Sequence, residues 1–203
     1  MYIPQSFRIE EKKELFDFCE AHSFGTVITN SSKGAPEITH VPFVLKEKTE
    51  SEIFVEFHLA KDNFQSRQFE INAVCGLLVS GAHGYISSSV YEKENVPTYN
   101  YESVYLTCES SVLNPSELEI HLEELVTQFE KGRTPELKYE GFSRSMIDSY
   151  LPEIIGVRLK VLKMEGAFKL SQNRSEKDLH SIIADNSHNP ELCAAMKKHY
   201  KND

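Results

Sequence analysis

"FGTVITNSSKGAPEITHVPFVLK", residues 24–46, sets β-branched and aromatic side chains against small or polar ones on both sides of an Asn-Ser-Ser-Lys-Gly turn. Alternation of period two places every second side chain on one face of a strand, and Asn, Ser and Gly supply turn chemistry, so the stretch predicts a β-hairpin. Runs of the same kind continue downstream. "SEIFVEFHLA" (51–60) is a further strand, and "AVCGLLVSGA" (73–82) a buried one. The latter is about half the ~20 apolar residues that a membrane-spanning helix needs, and a membrane protein is not expected. In "HGYISSSVYEKENVPTYNYESVYLTCESSVL" (83–113), alternating ends predict two strands around a loop near 88–98. "EIIGVRLKVLKMEG" (153–166) sets Ile155, Val157, Leu159 and Val161 against Gly156, Arg158 and Lys160, the pattern of a last strand with one wet face.

Helical segments sit around these strands. Leu15, Phe18, Cys19 and His22 recur at helical spacing, predicting an amphipathic helix over 10–22. Asp62 or Asn63 is placed to cap a short helix. Residues 114–132 predict the clearest helix, with Asn114 as cap, Pro115 in the first turn, Gly132 at the end and Leu118, Leu122, Leu125 and Phe129 as buried stripe. A short helix is expected near 143–150. The tail predicts two more, opened by Ser175 with Asp178 in capping-box spacing and by Asn189 with Pro190. No repeat or linker interrupts the order. The expectation is one α+β domain over 1–203, mainly β: an antiparallel barrel of six or so strands decorated by helices, with a C-terminal helical extension at about 175–203.

At 203 residues the chain is long enough for a substantial core, and a formal charge of −9 argues against a face that neutralises nucleic-acid phosphates. Direct DNA binding is therefore doubtful. The basic "MKKHYK" (196–201) reads as a helix end complementing the macrodipole. Cys19, Cys75, Cys108 and Cys193 lie far apart, without metal-ligand spacing, and the N-terminus lacks the order of a signal peptide. Reduced thiols in a cytoplasm are expected.

Glycine-rich nucleotide loops, H-E-x-x-H and G-x-S-x-G are missing. No catalytic residue and no metal ligand is assigned. His40, His58 and His83 fall on successive strands; convergence on a metal or haem is one reading, hydrogen bonding to backbone or cofactor the commoner one. "HLAKDNFQSRQ" (58–68) combines Lys61, Asn63, Ser66 and Arg67 where a strand gives way to a helix, which suits either a phosphomonoester or a solvated helix face. "GAFKLSQNRS" (166–175) is dense in donors, and "VPTYNY" (96–101) in flat, hydrogen-bonding side chains.

Taken in order, "MYIP" with Phe7, "HVPF" (40–43), "HLAKDN" (58–63), "GYISSSVY" (84–91), "VPTYNY" and "KLSQNR" (169–174) resemble the PaiB-type FMN-binding transcriptional-regulator family over residues 1 to about 185. The resemblance implies a split β-barrel that forms a homodimer and binds FMN at the subunit interface, with a role in repressing genes. It places Lys61, Asn63 and Arg67 at the phosphate and His40, Pro42 and His58 along strands meeting the ring. It adds Tyr85, Ser87, Asn100 and Tyr101 from the central motif, and Lys169, Ser171 and Gln172 reaching across the dimer. The chain departs from the family pattern where tryptophan is usual, at Val90, Tyr99 and Phe168, and where proline is usual, at Phe64 and Ser88. Four readings stay open: a flavin-binding sensor or regulator without turnover, a flavin-dependent oxidoreductase, a haem-binding split barrel, and a member that has lost tight flavin binding.

Overall fold

A computed structural model of the chain describes residues 1–30, 34–49, 52–69 and 73–200. The turn expected at Ser31–Lys33 lies outside them. The strands are β1 (Arg8–Ile9), β2 (Phe24–Thr29), β3 (Glu37–Pro42), β4 (Val44–Thr49), β5 (Glu52–Ala60), β6 (Val74–Ile86), β7 (Thr98–Val112) and β8 (Ile154–Lys169). The helices are α1 (Lys12–Ala21), α2 (Ser66–Phe69), α3 (Pro115–Glu130), α4 (Arg144–Tyr150), α5 (Glu176–Asp185) and α6 (Pro190–His199). Seven strands follow the order β3-β2-β6-β7-β8-β5-β4, with β1 paired to β8. β1 with β8, β2 with β3 and β6, and β5 with β4 and β8 pair antiparallel. The architecture is the split-barrel α+β fold expected, with eight strands among the described residues instead of six or so.

Two of the additional strands have simple causes. Arg8 and Ile9 pair with Ala167 and Gly166, a contact too short to show as a period in sequence. The single run expected over 35–46 divides because Pro42 has no N–H to offer the ladder and Phe43 turns its backbone elsewhere. The Phe43 N–H donates to the Ser23 carbonyl at 3.0 Å, and its own carbonyl accepts from Gln128 Nε2 at 3.0 Å.

The chain forms two compact units, and β6, β7 and β8 contribute to both. One comprises Asp17–Val79 and Tyr105–Met164. Its core is the inward set of several strands, Val27, Val41, Val55, Phe57, Leu77, Leu106, Val157 and Leu159, all at most 2% exposed. The hairpin register Thr26↔His40 and Ile28↔Ile38 puts Val27 on the core face, as alternation requires. The second unit comprises Met1–Phe16, Ser80–Val104 and the residues from Glu165 on. There α6 lies close to β6 at Gly84, where an added Cβ would fall 2.7 Å from Leu192 Cδ2. No helix among the described residues is long and apolar enough to cross a membrane.

Helix boundaries follow their caps. Asn114 and Glu117 form a complete capping box at α3, Ser175 Oγ accepts from the Asp178 N–H, and Asn189 Oδ1 accepts from the Leu192 N–H. The expected stripe of α3 is only partly right. Leu118 and His121 are its buried residues, whereas Phe129 is 40% exposed.

All four cysteines are reduced and buried. Burial pushes the thiols of Cys19 and Cys75 up to about 12 and that of Cys108 also upward. A thiol reagent is therefore expected to modify fewer than one cysteine per native chain within minutes at pH 8, and all four in denaturant. Rapid native labelling would contradict the burial.

Candidate functional site

In the unit containing β2–β5, the expected phosphate residues lie on one short connection. Lys61 follows β5 and ties its N–H to the Glu153 carbonyl at 2.8 Å, while its side chain is exposed. Asn63 then fixes the turn: Nδ2 donates to Thr39 Oγ1 at 3.0 Å and Oδ1 accepts from the Gln65 N–H at 2.9 Å. Ser66, at the first residue of α2, donates its hydroxyl to the Ala60 carbonyl at 3.0 Å, and Arg67 stands exposed on the same turn. Neither the Lys61 ammonium nor the Arg67 guanidinium has an ion-pair partner among the described residues.

Gln65, which nothing in its sequence context marks as interior, completes this arrangement. It is 1% exposed, and Nε2 donates to the Glu37 carbonyl at 2.7 Å and to Thr29 Oγ1 at 3.0 Å, with the Val27 carbonyl at 3.4 Å. Gln68 adds a bond to Glu37 Oε2 at 2.8 Å. The turn is thereby bolted to the β2–β3 hairpin, and two cations project from it. In sequence, Gln65 sits in a polar run without periodicity, so nothing marked it as interior.

His40 lies on the exposed face of the same hairpin. Its Nδ1 is 2.9 Å from Thr26 Oγ1, and its ring stacks on Phe24 with centroids 6.1 Å apart. Pro42, half-buried, is paired with Phe24. His58 points elsewhere, beneath α3, with Nδ1 3.3 Å from His121 Nε2. His83, in the other unit, is 3.2 Å from the Tyr99 hydroxyl. The three imidazoles expected to be able to converge thus have three different partners. Among the described residues no group of three His, Cys, Asp or Glu is placed to hold a metal ion.

The His58–His121 pair was not foreseen, because His121 reads as a polar position of an amphipathic helix. It is fully buried. Burial, then repulsion from His58, lowers its pKa to about 4, and burial also lowers that of His58. Both are neutral in the folded protein at pH 7, whereas an unfolded histidine titrates near ~6.5. Protonation therefore favours the unfolded chain, and stability present above pH 6.5 is lost as pH falls towards 4. The urea midpoint should decline over that window, by about 2–3 kcal/mol of unfolding free energy in all. A His121→Phe variant should flatten the profile; an unchanged slope would sink this account.

In the other unit the remaining residues fall into two kinds. Asn100 and Ser171 are buried, with Asn100 Nδ2 2.9 Å from the Ser171 hydroxyl and 3.3 Å from Met196 Sδ. Ser171 takes φ 62°, a left-handed conformation rare outside glycine and asparagine, which Asn100 helps to hold. Gln172 closes the same turn, accepting from the Leu170 N–H at 2.8 Å and donating to the Phe168 carbonyl at 2.6 Å. Lys169 bonds the Thr98 hydroxyl and lies 6.0 Å from the centroid of Phe7. Tyr85 is 57% exposed, Tyr101 is half-buried, and Ser87 caps a 3-10 turn at Ser88–Val90.

The positions where the family usually has tryptophan differ in environment. Phe168 is 1% exposed and meets His199 edge-on at 5.2 Å, so it is a packing residue. Val90 ends the 3-10 turn. Tyr99 is 48% exposed and stacks on His83 at 5.8 Å, which leaves a flat surface for a planar ligand.

A protein-family model described as "Putative FMN-binding domain" matches residues 1–163. The chain is 36% identical to the protease synthase and sporulation protein PAI 2 of Bacillus subtilis (strain 168) over 192 residues, 94% of this chain and 92% of that protein. Two solved structures are similar in fold. The flavocytochrome Anf3 from Azotobacter vinelandii superposes with a TM-score of 0.62 at 14% identity, covering 88% of this chain and 78% of that one. The FAD and haem binding protein from Mycobacterium smegmatis gives 0.59 at 18% identity, covering 80% and 73%. At such identities the likeness is one of fold.

Proposed function

This chain belongs to the PaiB-type family of FMN-binding split-barrel proteins, and we propose that it binds FMN as a cytoplasmic sensor or regulator without turnover of its own. The observation that carries the reading is the turn at 61–67, where Lys61 and Arg67, without an ion-pair partner among the described residues, project from a backbone clamped by Asn63 and Gln65. Two exposed cations on a turn held by side-chain hydrogen bonds suit a phosphomonoester dianion. His40 and Phe24 offer a stacked polar and apolar face on the adjoining hairpin, the kind of surface that meets a flat ring. Bound FMN would supply one- and two-electron redox chemistry; the chain's part is to hold and orient it.

Titration by flavin fluorescence is the test. FMN should bind saturably at one per chain, and riboflavin, which lacks the phosphate, more weakly. Arg67→Ala should weaken FMN about tenfold, one charge-assisted contact, and leave riboflavin unchanged. Equal binding of the two flavins would refute the phosphate assignment, and absence of both would refute the cofactor.

The same reading includes a homodimer. Phe24, Ile38 and Val74 are 60%, 58% and 58% exposed. The registers Ile28↔Ile38 and Ile28↔Gly76, with the strand period of two, put them on one face of the sheet. Light scattering at micromolar concentration should report a mass of two chains, and Ile38→Lys should shift it to one. Direct DNA contact forms no part of the proposal, given the charge of −9.

A further inference from the structure

At the far end of β5 a groove of about 400 Å³ opens between the start of α3, the segment Leu151–Glu153 and the first residues of β8. That volume falls within the range of small-molecule sites. Its lining is apolar apart from one side chain. Leu113, Leu118 and Ile155 form buried walls, Val112 is exposed at 41%, and Lys61 brings the cation. Two hydrogen bonds hold the frame: the Lys61 N–H to the Glu153 carbonyl at 2.8 Å and the Leu113 N–H to the Gly156 carbonyl at 2.9 Å. The groove also depends on a missing side chain, since a Cβ on Gly156 would come within 2.9 Å of Leu118 Cδ1 and 3.0 Å of Leu113 Cδ1.

We propose that this groove binds a small apolar carboxylate, its hydrocarbon body against Leu113, Leu118 and Ile155 and its carboxylate at the Lys61 ammonium. Charge complementarity selects the occupant. The lining holds one cation without an ion-pair partner among the described residues and no acidic side chain, in a protein whose net charge is −9. A neutral hydrocarbon would make no use of that ammonium, and a polyanion would find a single cation for several charges. One carboxylate on an apolar chain satisfies both ends.

The probe is decanoate, with decanol as its uncharged counterpart, titrated calorimetrically into the full-length chain without added flavin, because Lys61 is also a proposed phosphate contact. Decanoate should bind saturably, about fourfold tighter per methylene from hexanoate upward, as burial of apolar groups dictates. Lys61→Gln should weaken decanoate about tenfold, to the level of decanol, and leave decanol unchanged. Val112→Trp, at an exposed rim position, should abolish both while FMN affinity stays at the wild-type value. No decanoate binding at millimolar concentration overturns the proposal, as does binding that ignores Val112→Trp. Loss of FMN together with decanoate in Val112→Trp would also overturn it, by making groove and phosphate site one. A shift in native mass caused by Val112→Trp would overturn it in favour of a second copy of the chain in the groove. If wild-type chain binds decanoate and no flavin, the flavin reading fails and this one stands.

Discussion

Replacing Arg158 with leucine is expected to lower the unfolding free energy by about 4 kcal/mol, and the melting temperature by roughly 8–16 °C for a chain of this size. Arg158 holds Glu56, which is 1% exposed on β5 and lies opposite it in register. Arg158 Nε is 2.6 Å from Glu56 Oε1, and Nη1 is 2.7 Å from Glu117 Oε1. The other oxygen of Glu56 meets Lys46 Nζ at 2.7 Å, and Lys46 is also 2.5 Å from Glu124. Removing Arg158 strands a buried carboxylate with a single counter-charge. Glu117 suffers less, because the Asn114 N–H is the first cause holding its carboxyl below the usual range and Arg158 the second. The double variant Glu56→Leu/Arg158→Leu should recover at least half of the loss, since an apolar pair needs no counter-ions. Calorimetric melting of the two variants decides the matter. A double variant as unstable as the single one would mean that packing, and not the stranded charge, sets the cost.

Gln65→Ala is expected to cost about 3 kcal/mol and to weaken FMN at least tenfold, a combination that a peripheral packing residue would not give. The side chain donates to the part-buried Glu37 carbonyl and to the hydroxyl of Thr29, itself 2% exposed, and without it both acceptors lose that donor. The turn carrying Lys61 and Arg67 would also lose its buried bonds to the hairpin, keeping only those of Asn63 to Thr39 and Gln68 to Glu37. Riboflavin separates the two consequences: its affinity should fall less than that of FMN, because the loosened element is the one proposed to meet the phosphate. Loss of stability with unchanged FMN affinity would show that the clamp supports the fold alone. Urea unfolding and flavin titration on the same preparation provide both readouts.

Arg158 and Gln65 owe their roles to partners distant in sequence. The strand segments from β2 to β8 were legible because alternation reports which side chains share a face, although the run over 35–46 divides into β3 and β4 and two expected runs join as β6; the caps Asn114, Ser175 and Asn189 were legible because a cap and its partner N–H lie three residues apart. The segment holding Lys61, Asn63 and Arg67 was legible for the same local reason. The chain's own residues thus determined the α+β class, the order of elements, the acidic surface and the absence of familiar catalytic motifs. Tertiary structure decided which polar residues are interior. His58 meets His121 across 63 positions, Arg158 meets Glu56 across 102 and Asn100 meets Ser171 across 71. Periodicity carries no information about a partner on another element, and each of these side chains reads as solvated until the fold brings its counterpart. A buried polar group is affordable only when paired, so it is the pairing, set by strand register and helix docking, that makes such positions interior.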